Sequence, residues 1–213
     1  LFRLSTGNMM SDKSEDVSDV LEPRSHAARP VRADAQRNTD ALLEAALAVF
    51  ATSGVEAPVR EIAEKAGVGI GTFYRHFPQR ADLVAAVFRH EVDACADAAS
   101  VLAVEYGPAE ALERWIQRYA AFIATKRGLA AALHSGNTAF ETLPAYFNQR
   151  LQPALRTLLE SAAAAGEIRA DFDPKDLLGA VASLCMFAHN SGYGDERRMV
   201  ALLIDGLRYG ARS

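Results

Sequence analysis

From Asp34 onward, apolar residues recur at intervals of three and four, and this pattern restricts the possible folds more than any other feature of the chain. Such spacing collects apolar side chains on one face of an α-helix. No alternating run of β-branched residues offers a strand its half-buried face, and alanine is abundant. Glycine and proline punctuate the pattern. Gly54 and Pro58 close a first helix, Gly67 to Gly69 separate two short ones, and Gly107-Pro108 ends a long fourth. Gly128, Gly136 and Pro144 break up the middle, Gly166 and Asp173-Pro174 introduce the penultimate helix, and Gly192-Tyr193-Gly194 sets off the last. The expected fold is all-α, with about nine helices and no sheet.

Several classes of protein do not fit. Half of the 213 residues are hydrophobic, enough to bury a sizeable core and too many for wholesale disorder. Cys95 and Cys185 are too few for a disulfide scaffold, which suits a reducing cytoplasm. No stretch approaches the ~18 to 20 apolar residues of a membrane span. Leu1 to Met10 is too short and too polar for a signal-peptide core. No nucleophile–base pair, carboxylate dyad or metal cluster stands at a useful spacing, so neither catalysis nor a cofactor is expected. Cys185 and His189 lie one turn apart but lack a third or fourth ligand, and read as a buried thiol beside an imidazole.

Taken as totals, a net charge of −4 and a pI near 5.8 argue against nucleic-acid binding. The charge is unevenly spread, however. Residues 1–23 carry −3, residues 24–80 carry +2, and residues 81–213 carry −3. A mildly basic module therefore stands between two acidic segments. Residues 1–33 read as a flexible tail, since SDKSEDVSD holds little that could enter a core and Pro23 and Pro30 discourage helix. Residues 34–80 form a three-helix module within the basic segment, and residues 81–213 a helical bundle.

Within the module, a helix from about Asp34 to Thr52 turns Leu43, Ala46, Leu47 and Phe50 inward. A two-turn helix, Val59 to Ala66, buries Ile62 and Ala63 and cannot persist alone. Gly67 suits the tight turn that follows. A third short helix, Ile70 to Phe77, points Phe73 and Phe77 into the core. Thr72, Arg75 and His76 lie on or near the opposite face, with Tyr74 at the flank. Hydroxyl, guanidinium and imidazole over a buried aromatic pair match a recognition helix made to lie in a major groove ~12 Å wide.

The run from Arg37 to Leu83 resembles the N-terminal helix-turn-helix DNA-binding domain of the TetR/AcrR family of bacterial repressors. The matching residues are Ala46 and Phe50 before Gly54, Ile62-Ala63, Ala66-Gly67-Val68, Tyr74, His76-Phe77, and Arg80 followed by Leu83. The resemblance implies that Arg60 reaches DNA, that Ile70, Gly71, Thr72, Arg75 and His76 lie at or near base edges, and that Tyr74 and Arg80 hold phosphates. The chain departs from the family at Ala57-Pro58, where a Ser or Thr often caps the second helix. Arg24, Arg29 and Arg32 precede the first helix, either as an arm toward the DNA or as part of a solvated tail.

For the rest of the chain the resemblance implies a helical domain for ligand binding and dimerisation. The fourth helix, about Gln79 to Val104, would connect effector to DNA. Aromatic residues at helical spacing are ordinarily core. On the resemblance, some of Trp115, Tyr119, Phe122, His134 and Phe147 are expected to line a ligand cavity, with the broken segment Gly128 to Thr138 as its wall. The last two helices, about Pro174–Asn190 and Asp195–Ala211, have apolar faces too wide for one chain, and the resemblance makes them the homodimer interface. The expected function is that of a homodimeric, cytoplasmic, sequence-specific transcriptional regulator, a repressor released from a palindromic operator in double-stranded DNA by a small-molecule effector. A helical-bundle enzyme and a DNA-binding regulator without an effector are the competing readings.

Overall fold

The structure is a computed structural model that describes residues 28–127, 133, 135–191 and 195–209. Among these residues it is all helical, as the apolar spacing predicts. Three helices form the head: α1 (Ala28–Ser53), α2 (Val59–Lys65) and α3 (Ile70–His76). Five form the bundle: α4 (Arg80–Glu105), α5 (Pro108–Arg127), α6 (Leu143–Ala164), α7 (Pro174–Ser191) and α8 (Glu196–Arg208). A 3₁₀ turn, Thr138–Phe140, precedes α6.

The punctuation acts where expected. Gly54, Gly67, Gly136 and Gly166 all adopt positive φ. At Gly67 (φ 69°) the chain reverses between α2 and α3, with the Val68 amide donating to the Ala63 carbonyl at 3.0 Å. One boundary differs from expectation. α1 begins at Ala28, six residues before Asp34, and takes in Pro30. Proline disrupts a helix interior but not its first turn, where no intrahelical N–H bond is lost.

The head closes over Leu42, Ala46, Val49, Phe50, Ile62, Ala63, Phe73 and Phe77, all buried. Phe73 and Phe77 set their ring centroids 6.0 Å apart. α4 starts on a capping box formed by Gln79 and Asp82, packs against α1, and runs on into the bundle. Its buried Leu83, Val84, Val87, Phe88 and Val92 join the cores of head and bundle into one.

Three rungs tie α4 to α6. The Arg89 guanidinium donates to the Thr142 hydroxyl at 3.1 Å. The Tyr146 hydroxyl faces both carboxylate oxygens of Asp93, at 2.7 and 2.6 Å. Arg150 donates to Asp93 at 2.6 Å and to Asp97 at 2.8 Å. Residues 89, 93 and 97 match 142, 146 and 150 at equal intervals, so the two helices run in the same direction. Desolvation, followed by the bond to Asp93, holds the Tyr146 hydroxyl above its ordinary pKa and keeps it a donor.

Candidate nucleic-acid interface

The site begins with two short helices that each have one buried face. Ile62 and Ala63 of α2 and Phe73 of α3 turn inward. Because a helix repeats every 3.6 residues, the positions between them must face out. Arg60, Ile70, Gly71, Tyr74 and Arg75 are accordingly exposed, while Thr72 and His76 are half-buried. Ile70 and Tyr74 keep 41% and 51% of their surface open, a large outlay of apolar area for a small head. The Arg75 Nε donates to the Gly71 carbonyl one turn back, at 3.3 Å.

Two of the expected DNA-binding residues have partners inside the head. The Arg80 guanidinium donates to the carbonyl of Val55 and, at 2.9 Å, to that of Ala57, and its Nε lies 4.0 Å from Glu56. In the free chain this side chain, expected on a phosphate, grips the α1–α2 turn. The reason is local: Val55 and Ala57 lie in the turn between the two helices, outside either helical ladder, and the guanidinium supplies a donor to their carbonyls. His76 lies with its Nδ1 3.1 Å from the Thr39 hydroxyl of α1, which pins the end of α3 to the first helix. Arg29 and Arg32 fall in the first turns of α1, and Arg24 lies outside the described residues.

Deeper in the bundle, a cavity of about 310 Å³ opens between α4, the 3₁₀ turn and α6. Phe88, Leu133, Phe140, Leu143, Pro144, Phe147 and Asn148 line it. Of the aromatic residues expected around a ligand, Phe147 borders this space. Trp115, Tyr119 and Phe122 stand behind it as core. Trp115 is fully buried and donates through Nε1 to the Cys95 carbonyl at 2.9 Å. The Tyr119 hydroxyl donates to the Leu178 carbonyl at 3.2 Å, and burial pushes its pKa up. Phe122 and Phe147 stack at 6.2 Å, so the buried cluster meets the cavity lining through Phe147. His134 lies outside the described residues. Phe88, Phe140, Leu143 and Asn148 are not among the residues expected around a ligand; the interruption from Gly136 to Pro144 is the available signal, since broken helices pack with gaps.

Cys95 and Cys185 are free and buried, and burial pushes the Cys95 thiol up to about 12. The side chain of His189 lies outside those described, so its expected pairing with Cys185 does too. Among the described residues, no three His, Cys, Asp or Glu side chains are grouped to hold a metal ion, and no helix is long and apolar enough to cross a membrane.

Comparison with known proteins agrees with this geometry. Residues 42–87 match the profile of bacterial regulatory proteins of the tetR family, and residues 107–209 match that of the SbtR-like transcriptional regulator C-terminal domain. A solved TetR transcriptional regulator from Streptomyces coelicolor is 37% identical, with 80% of this chain and 98% of that one covered, at a TM-score of 0.69. The chain belongs to the TetR family. Another TetR-family structure, a regulatory protein from Mycobacterium vanbaalenii, is 36% identical over 84% of this chain and 99% of its own, at a TM-score of 0.65. An HTH-type transcriptional regulator of Staphylococcus aureus is 38% identical over 64 residues. That match covers 30% of this TetR-family chain and 35% of the relative. The family assignment makes this chain a transcriptional regulator with a helix-turn-helix DNA-binding head.

Proposed function

We propose that the protein is a homodimeric repressor that binds a palindromic operator in double-stranded DNA and is released from it by a small apolar effector. The observation that carries the reading is the outer face of α2 and α3. Arg60, Ile70, Gly71, Tyr74 and Arg75 stand exposed over a buried aromatic pair, on a segment matching the tetR-family profile. Arg60 and Tyr74 fit phosphate contacts, and Thr72 and Arg75 fit base edges. His76 and Arg80 support the same surface as positioning residues, one through Thr39 and the other through the α1–α2 turn.

Dimerisation is supported by the surface of the last two helices. Val200, Ile204 and Leu207 of α8 face the bundle, while Leu202 and Tyr209 keep 74% and 83% of their surface open. On α7, Gly179, Ser183 and Met186 are exposed along one line. Two small residues in that stripe allow close approach, and two such pairs would form a four-helix contact around a twofold axis. Heads spaced ~34 Å apart would then meet successive major grooves.

The 310 Å³ cavity fits the effector. Among the described residues its lining is apolar and aromatic apart from the Asn148 amide, which suits a compact hydrophobic molecule carrying a hydrogen-bonding group. Phe88 of α4 and Phe147 of α6 both border it, so an occupant would press the two helices apart against the Asp93 rung. A shift of α4 would reach the head through Arg80. A cytoplasmic location follows from the operator as partner.

Selecting duplexes from a random pool with the full-length protein tests the operator, and sedimentation at micromolar concentration tests the dimer. Enrichment of an inverted repeat is the expected result. An enriched site without twofold symmetry, or a monomer, would defeat the proposal. Thermal-shift screening of small apolar compounds tests the effector. A hit must stabilise the protein and weaken operator binding, because the coupling is reciprocal.

A further inference from the structure

The outer face of α3 contains a pairing that the chain's own packing does not explain. Ile70, its first residue, leaves 41% of its surface open. Isoleucine at a helix start this exposed leaves much of its apolar surface in water and is a weaker helix former than several polar alternatives. Next to it stands Gly71. A methyl group built on Gly71 would meet no atom of the chain within 4 Å, and its φ is not in the left-handed region. Glycine is a weaker helix former than alanine. Neither a close approach within the chain nor the backbone geometry requires it.

The hydrogen-bonding side chains of the same region are partly committed. His76 meets Thr39, the Arg80 guanidinium grips two carbonyls, and the Arg75 Nε is on the Gly71 carbonyl. Beside the half-buried Thr72, the first turn of α3 offers the major groove a branched apolar side chain and an adjacent open space. In that groove the one apolar group on a base edge is the thymine 5-methyl.

We propose that Ile70 reads a thymine 5-methyl group in each half-site, with Gly71 supplying the clearance for the base to approach. This rests on the operator-binding reading above and names the chemistry of one base that it recognises. Direct contact would remove the methyl group and the isoleucine tip from water together, and thymine would be preferred without any hydrogen bond to it.

The test uses the full-length protein and the duplex enriched from the random pool, resynthesised with deoxyuridine replacing thymidine one position at a time. Uracil pairs as thymine does and lacks only the methyl group. Binding is followed by fluorescence anisotropy at one salt concentration. One position per half-site is expected to weaken binding about four-fold when its methyl is removed, and about fifteen-fold when both half-sites are changed, the equivalent of ~0.8 kcal/mol per methyl. In Ile70→Ala, the thymine and uracil duplexes are expected to bind alike, since the partner of the methyl is gone. Ile70 is exposed, so the variant keeps its fold, and the uracil series on the unaltered protein needs no variant. Indifference to uracil at every position would overturn the inference while leaving operator binding intact. So would an equal uracil penalty in Ile70→Ala. A pool with no enriched sequence would instead overturn the operator reading, and this inference with it.

Discussion

The head and the bundle use similar residues to opposite ends. On α3, Tyr74 stands open to solvent beside the buried Phe73. On α5, Trp115 and Tyr119 stack at 5.8 Å and are enclosed on every side. The difference is one of layers. A two-turn helix at the surface has one neighbour face and one free face, so its period alone tells which residue is free. A helix in the middle of a bundle has neighbours all around. There the period tells that a residue is inside, but not whether it meets another side chain or a void. Arginines divide in the same way: Arg75 projects from the head, whereas Arg150 closes a rung between α4 and α6.

Substitutions can break or sharpen this contrast. The largest effect is expected at Trp115, which belongs to the enclosed side. Trp115→Ala should lower the unfolding free energy by about 3 to 5 kcal/mol in urea denaturation. A loss under about 1 kcal/mol would mean that the ring borders open space after all. Arg80→Met comes next, because it removes two hydrogen bonds from a cation to buried-edge carbonyls at a partly exposed site. About 1 to 2 kcal/mol of stability should be lost. Affinity for all DNA sequences should fall with the salt dependence unchanged. A slope smaller by about one unit would return Arg80 to a phosphate.

Tyr146→Phe removes the hydroxyl from the Asp93 rung and should cost about 1 kcal/mol. Faster amide exchange along α4 near Asp93 would identify the rung as the cause, whereas uniform exchange would deny it that role. Gly71→Ala crosses the contrast in the other direction. It should raise head stability by about 0.5 to 1 kcal/mol in thermal unfolding while weakening the operator complex. Tighter binding would mean that the open space is unused. Arg75→Ala should leave stability within about 0.5 kcal/mol. Its effect should appear as a loss of preference for the operator over random duplex; equal losses on both would make Arg75 a phosphate contact.

The legibility of the site in the sequence follows the same division. The exposed Tyr74 and Arg75 could be placed from spacing around Phe73 and Phe77, and the resemblance added Arg60 and Ile70 and gave each a role. The partners of His76 and Arg80 could not. Thr39 lies 37 positions before His76, and Ala57 lies 23 positions before Arg80. Contacts at such separations depend on how helices cross, and no local pattern records that. The same holds for Phe88, Phe140 and Leu143, which become a cavity lining only when α4, the 3₁₀ turn and α6 meet.

The charge distribution shows a similar limit. A net −4 conceals a basic head, and the sequence suffices to find it because charge sums along the chain without regard to fold. Which of those positive groups face outward is another matter, since Arg80 is counted with the head yet turned into it.

By itself the sequence determined the helical class, the turns at Gly54 and Gly67, the two-faced nature of α2 and α3, and membership of a DNA-binding family. All of these depend on interactions between residues a few positions apart, or on motifs of that length. Only the tertiary structure decided that Trp115 and Tyr119 are core, that Arg80 braces a turn, and that the Asp93 rung joins α4 to α6. Those outcomes depend on side chains meeting across the packing of separate helices, where the neighbour's shape and hydrogen-bonding needs determine each residue's role.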